Sequence, residues 1–111
     1  TAAFGMLGLE TALSIVQQTM VDPGLLDWAG VAERMSYAPA RIGRVEDHGR
    51  PVAEGEPASF VLYDPAFSRV VDPSELASLS RNTPYAGREL PGRVVATFLR
   101  GRPTVLDGKL T

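Results

Sequence analysis

The chain's one histidine, His48, stands in Glu46-Asp47-His48-Gly49, beside two carboxylates. An imidazole next to carboxylates has the parts of a metal ligand set or a proton relay. A hydrolytic zinc site takes about three protein ligands, and no carboxylate lies at helical spacing from His48. The segment reads as an exposed loop histidine in a charged turn. Ser14, Ser36, Ser59, Ser68, Ser74, Ser78 and Ser80 offer no nucleophile elbow, because no Gly-x-Ser-x-Gly occurs. With no cysteine, thiol catalysis, disulfides and cysteine zinc sites are excluded. Gly5-Met6-Leu7-Gly8 resembles a phosphate loop only superficially, lacking a Gly-Lys-Ser/Thr ending and a preceding strand. Its glycines let backbone come close to a ligand just before a helix N-terminus, where free N–H groups favour an anion; a plain helix entry reads equally well. Asn82-Thr83-Pro84-Tyr85 is a polar cluster suited to fixing a loop through its own backbone. No catalytic constellation emerges from these residues alone.

The elements that must position them fit one domain or less. At 111 residues a chain buries roughly two-thirds of its unfolded surface. A net charge of −2 gives no broad pull toward nucleic acid or an anionic membrane, and Arg41, Arg44, Arg50, Arg100 and Arg102 read as solvated surface. No stretch approaches the ~18 apolar residues of a membrane span. No basic n-region marks a signal peptide, so a cytoplasmic location is expected. The start runs almost at once into a helical pattern, as in a piece of a longer chain.

Leu9, Leu13, Val16 and Met20 recur at helical spacing and predict an amphipathic helix over 7–20, with Gln17, Gln18 and Thr19 on its polar side. Asp22-Pro23-Gly24 ends it. Asp27 is placed to cap a second helix whose inner side carries Trp28, Val31, Ala32 and Met35. Pro39 suits the first turn of a short third helix over 40–42. Glycines and prolines break the chain over 43–58. Strands are expected over 59–63 and 68–71, and a helix over 72–79 opening on Asp72-Pro73-Ser74-Glu75. Residues 94–99 form a strand with both faces apolar, expected to be covered on both sides. Gly101 turns it into a strand over 103–106, ended by Asp107-Gly108. Helices first and strands second make the chain α+β, or the ends of two domains.

Several segments carry a resemblance. The run Phe4-Gly5-Met6-Leu7-Gly8-Leu9-Glu10-Thr11-Ala12-Leu13 resembles the FG-x-x-GLETAL motif of type I dihydroorotases, the zinc amidohydrolases of pyrimidine synthesis. Ala38-Pro39-Ala40-Arg41-Ile42 is similar to their NPAR-type segment, with Ala38 replacing an Asn that would cap the short helix. The stretch from Gly49 to Pro65 resembles their Gly-rich AD-x-V-x-x-DP run, with Ser59 in the place of the usual Asp. Residues 80–108, SRNTPYAGRELPGRVVATFLRGRPTVLDG, resemble the closing loop and hairpin.

The resemblance implies a C-terminal piece. Residues 1–43 would be the last outer helices of a (β/α)8 barrel, and residues 44–111 the C-terminal strands of the small β-sandwich beside it. It implies Phe4 and Gly5 as substrate contacts at the barrel mouth. The zinc ligands and catalytic groups of such enzymes would lie upstream, leaving no catalytic or metal residue here and an inactive isolated chain. The parent would interconvert dihydroorotate and carbamoyl aspartate. Its implied partners are the remainder of the parent chain, a homo-oligomer mate or aspartate carbamoyltransferase, with no nucleic acid and no membrane. A non-catalytic dihydroorotase-like scaffold and a hydantoinase are the alternatives. Apolar faces, including Leu13, Val16 and Met20, are expected to stand open in the piece alone.

Overall fold

The computed structural model describes residues 5–111, and over these the chain forms two helical stretches and one antiparallel sheet. Helix α1, Ala12–Val16, continues into a π-helical turn, Gln17–Val21. It starts five residues later than the apolar spacing predicts. Residues 5–8 have no regular structure, and Thr11 donates from Oγ1 to the Gly8 carbonyl at 3.3 Å. The buried face is also different. Thr11, Ser14 and Gln17 are 2%, 3% and 4% exposed, while Leu9 is 98% exposed. Three-residue spacing keeps the polar trio on one face. Ser14 and Gln17 turn inward because the sheet opposite offers them hydrogen-bond partners; Leu13, Val16 and Met20 are left half-buried.

Helix α2, Trp28–Ala32, opens where expected: Asp27 Oδ1 accepts from the Gly30 N–H at 2.7 Å. A second π-helical turn, Glu33–Tyr37, joins it without a break to α3, Ala38–Gly43. Pro39 therefore lies within a continuing helical run rather than opening a new helix. A proline there lacks an N–H and crowds the preceding turn, and a widened π turn is a common accommodation of such a misfit. Ala38 consequently caps nothing, and the expected loss of a cap does not arise. Of the expected inner side only Val31 is buried; Trp28 and Met35 are exposed.

The sheet has four antiparallel strands in sequence order: β1 Phe60–Val70, β2 Glu89–Leu99, β3 Arg102–Leu106 and β4 Lys109–Leu110. The two short strands expected over 59–71 are one strand. Its Asp64-Pro65 corner survives as a register irregularity between Asp64, opposite Arg93, and Ser68, opposite Pro91. A second shift falls between Leu62 and Tyr63. Pro91-Gly92 sits in β2 across from these irregularities, where a missing donor and side chain are tolerated. The expected helix over 72–79 is reduced to a 3₁₀ turn, Pro73–Glu75, on an Asp72 cap. Its continuation is stopped as Leu76 takes extended backbone angles and buries. Two-residue turns link β2 to β3 and β3 to β4, with positive φ at Arg100-Gly101 and Asp107-Gly108, the signature of twist-compatible hairpins.

The buried apolar core is small: Val31, Val71, Leu76, Leu90 and Ala96. The accessible surface is 7999 Å², where a compact monomer of this mass shows about 5,900 Å². The radius of gyration is 15.1 Å, against about 13 Å for a compact domain of this length. Val61, Leu62, Leu99 and Leu106 are exposed on the sheet, and Leu25 and Ile42 on the helical side. The expected cover on both faces of β2 is thus incomplete, and the α+β piece does not close on itself. Among the described residues no helix is long and apolar enough to cross a membrane.

Candidate functional site

Two sequence-distant segments meet at Gly5. Phe4 lies outside the described residues. Gly5 has φ +92°, and nothing lies within 4 Å of where a side chain would project. The Gly5 carbonyl accepts from Asn82 Nδ2 at 2.6 Å, and the Leu7 N–H donates to the Asn82 carbonyl at 2.8 Å. An open depression of about 400 Å³ lies beside this junction, lined by Gly5, Met6, Leu7, Ser80 and Asn82. The helix begins only at Ala12, so Gly5 and Gly8 do not stand immediately before a helix N-terminus as expected.

The loop bearing Asn82 is wired internally. Arg81 Nη1 donates to the Leu76 carbonyl at 3.0 Å and also to the Ser78 carbonyl. Thr83 is buried, and its Oγ1 accepts from the Tyr85 N–H at 3.2 Å. Glu10 ties the loop to the same N-terminal segment by accepting from the Ala77 N–H at 3.1 Å. The loop-fixing reading holds for Thr83; the Asn82 side chain instead bonds the distant Gly5 carbonyl, a reach with no local signal.

A second polar junction couples α1 to the sheet. Tyr63 Oη donates to Gln17 Oε1 at 2.6 Å, Gln17 Nε2 donates to the Pro65 carbonyl at 2.9 Å, and Ser14 Oγ to the Gly92 carbonyl at 3.4 Å. A Cβ on Gly92 would lie 1.8 Å from Tyr63 Oη and 2.4 Å from Gln17 Oε1. Burial pushes the Tyr63 phenol above its ordinary value, against hydrogen bonding with Ser14. The Trp28 ring tilts against Tyr63 with centroids 5.4 Å apart. Sequence reasoning put Gln17 on the solvent side. The available signal was Pro91-Gly92 inside an apolar strand, a pattern that marks close backbone approach.

Among the described residues, His48 is paired with a single carboxylate. Its Nε2 lies 3.7 Å from Asp47 Oδ2, which also accepts from Arg100 Nη2 at 2.9 Å. That hydrogen bond holds the Asp47 carboxyl below its ordinary value, helped by a bond from its own backbone and by the nearby imidazole. A depression of about 320 Å³ beside it is lined only by consecutive residues 47–60, the loop's own curl. Among the described residues no three His, Asp or Glu side chains come together as a metal site.

No protein-family model matches the chain. Dihydroorotase from Streptomyces coelicolor is 67% identical over 110 residues, which cover 99% of this chain and 26% of that protein. Dihydroorotase from Leifsonia xyli is 57% identical over 107 residues, 96% of this chain and 24% of the relative. That from Mycobacterium tuberculosis is 53% identical over 106 residues, 96% and 25% respectively. Among solved structures, L-hydantoinase (dihydropyrimidinase) from Arthrobacter aurescens superposes with a TM-score of 0.87 at 30% identity, over 99% of this chain and 24% of that one. D-hydantoinase from Thermus sp. gives 0.84 at 24% identity over 96% and 23%, a likeness of fold alone. The chain spans about a quarter of the length of the relatives it matches. Over nearly all of its 111 residues, the chain is a homologue of dihydroorotases, with hydantoinases of the amidohydrolase superfamily as its neighbours in structure.

Proposed function

We propose that this chain is the C-terminal part of a dihydroorotase, a cytoplasmic cyclic amidohydrolase that opens dihydroorotate to carbamoyl aspartate and closes it again. The observation that carries this reading is the 67% identity to the Streptomyces coelicolor dihydroorotase across 110 residues. Residues 1–43 would pack on the barrel of the parent, and residues 44–111 would complete its small β-sandwich. The excess surface and the exposed sheet residues support that placement, since each would be covered by parent chain. Gly5, with Phe4 before it, would form part of the substrate rim. A backbone with φ +92° and open space beside it suits close approach by a ligand.

Zinc is implied by the resemblance, but the donors present here do not fit it. His48 has one carboxylate neighbour, which an arginine already engages. The ligands would therefore come from the remainder of the parent, and the chain by itself would be inactive. Assembly with aspartate carbamoyltransferase or a second copy belongs to the same reading.

The full-length protein tests it: dihydroorotate should be hydrolysed, and hydantoin poorly or not at all. Preferential turnover of hydantoin would favour a hydantoinase, the reading supported by the Arthrobacter aurescens superposition at a TM-score of 0.87. A pure protein that turns over neither, yet associates with aspartate carbamoyltransferase, would favour a scaffold. Turnover of dihydroorotate by the 111-residue chain with added zinc would sink the claim of inactivity.

A further inference from the structure

We propose that Asn82 is a positioning residue for substrate binding, a role that rests on the rim assignment of Gly5. Its two bonds straddle Gly5-Met6-Leu7 like one rung of a ladder. The side-chain Nδ2–H holds the carbonyl of residue 5, and the backbone carbonyl holds the N–H of residue 7. Residues 5–8 have no helix or strand to set their course. A glycine at φ +92° is free to relax toward many other backbone states. The Asn82 clamp selects one of them and so fixes where the Gly5 peptide points.

The clamp can select that state because its own loop has little freedom. Arg81 fills the turn before it with bonds to the carbonyls of Leu76 and Ser78, and Thr83 is buried just after it. Glu10 adds a third tie from the same N-terminal segment to Ala77. Asn82 lines the open depression, but its side-chain Nδ2 is engaged by the Gly5 carbonyl. It therefore acts through Gly5, so its loss should weaken ground-state and transition-state binding alike, raising KM with kcat little changed.

Aspartate is the discriminating substitution, since Asn82→Asp keeps size and shape while replacing the donor with an acceptor that faces the Gly5 carbonyl. In the full-length zinc-loaded protein, Asn82→Asp is expected to raise KM for dihydroorotate about tenfold, the worth of one well-placed hydrogen bond. Hydrogen exchange at the Leu7 amide should quicken in the same variant. Gly5→Ala, which denies φ +92° without a clash, should raise KM similarly, and the pair together no more than the larger single effect. A packing role would survive Asn82→Asp with KM unchanged, so faster exchange at an unchanged KM overturns the positioning role and leaves the dihydroorotase reading standing. Unchanged exchange overturns the clamp itself. Wild-type protein that hydrolyses no dihydroorotate overturns the functional reading and this role with it, before any variant is made.

Discussion

The junction at Gly92 and the loop around His48 are both built from polar side chains, and they differ in what surrounds them. At Gly92 the groups are enclosed: Gln17 is almost fully buried, and each of its amide atoms has a partner. Around His48 the ion pair of Arg100 with Asp47 stands in water, with about two-thirds of each side chain exposed. Buried polar groups are costly to leave unpaired, whereas exposed ion pairs exchange one set of water contacts for another at little gain. The loop with the residue types of a catalytic site is therefore the weak one. The glutamine assigned to the solvent side holds helix to sheet.

Gly92→Ala should break this contrast most severely. The added methyl would meet Tyr63 Oη and Gln17 Oε1 far inside contact distance at a φ of +77°, so destabilisation of about 3 kcal/mol or more is expected from overpacking and backbone strain. Gly101→Ala is the control. It has φ +81° with nothing within 4 Å, leaving only the conformational term of about 1–2 kcal/mol. Urea unfolding of the two variants separates sterics from backbone strain; equal losses would dissolve the distinction.

Next in size is Tyr63→Phe, which strands Gln17 Oε1 without a donor and should cost about 1–3 kcal/mol. Adding Gln17→Met removes the stranded group and should recover part of that loss, which a double-mutant cycle reads directly. A weaker effect follows from the raised Tyr63 pKa. The folded state holds this proton more tightly than the unfolded chain, so its contribution is complete below the ordinary phenol value of 10.0. It declines as pH rises from there through the folded value. Ionisation would also leave Gln17 Oε1 facing a phenolate. Unfolding midpoints measured from pH 8 to 11 should fall, and Tyr63→Phe should remove this component of the fall.

The smallest effects are expected at the other pole of the comparison. Asp47→Asn should leave the unfolding midpoint at neutral pH within experimental error. His48→Gln should leave both metal content and turnover of the full-length protein unchanged. Loss of bound metal on His48→Gln would restore the histidine loop to candidacy as a site.

Much of the local structure was legible in the residues. Asp27 announces a helix start because its carboxylate can reach the N–H three residues on, and it does. Gly101 and Asp107-Gly108 announce hairpins because glycine, and to a lesser degree aspartate, tolerates positive φ. The face of α1 was misread because apolar spacing assumes an apolar counterpart. Here the sheet presents a phenol hydroxyl and two free carbonyls at Gly92 and Pro65. The helix after Asp72 was over-read because a good cap starts a turn but cannot sustain one once Leu76 finds burial in extended form.

What the sequence determined by itself was kinship and local grammar: motifs spread along the whole chain, capping, hairpin turns and a strand-rich second half. These are properties of neighbouring residues. The tertiary structure alone decided that Asn82 grips the backbone 77 positions away at Gly5, that Gln17 turns inward to Tyr63, and that the carboxylate beside His48 is already engaged by Arg100. Each is a meeting of chain segments whose distance in sequence carries no periodic or turn signal. Each depends on geometry made elsewhere: the bulged β1–β2 pairing, the missing Gly92 side chain, and the self-bonded loop before Asn82.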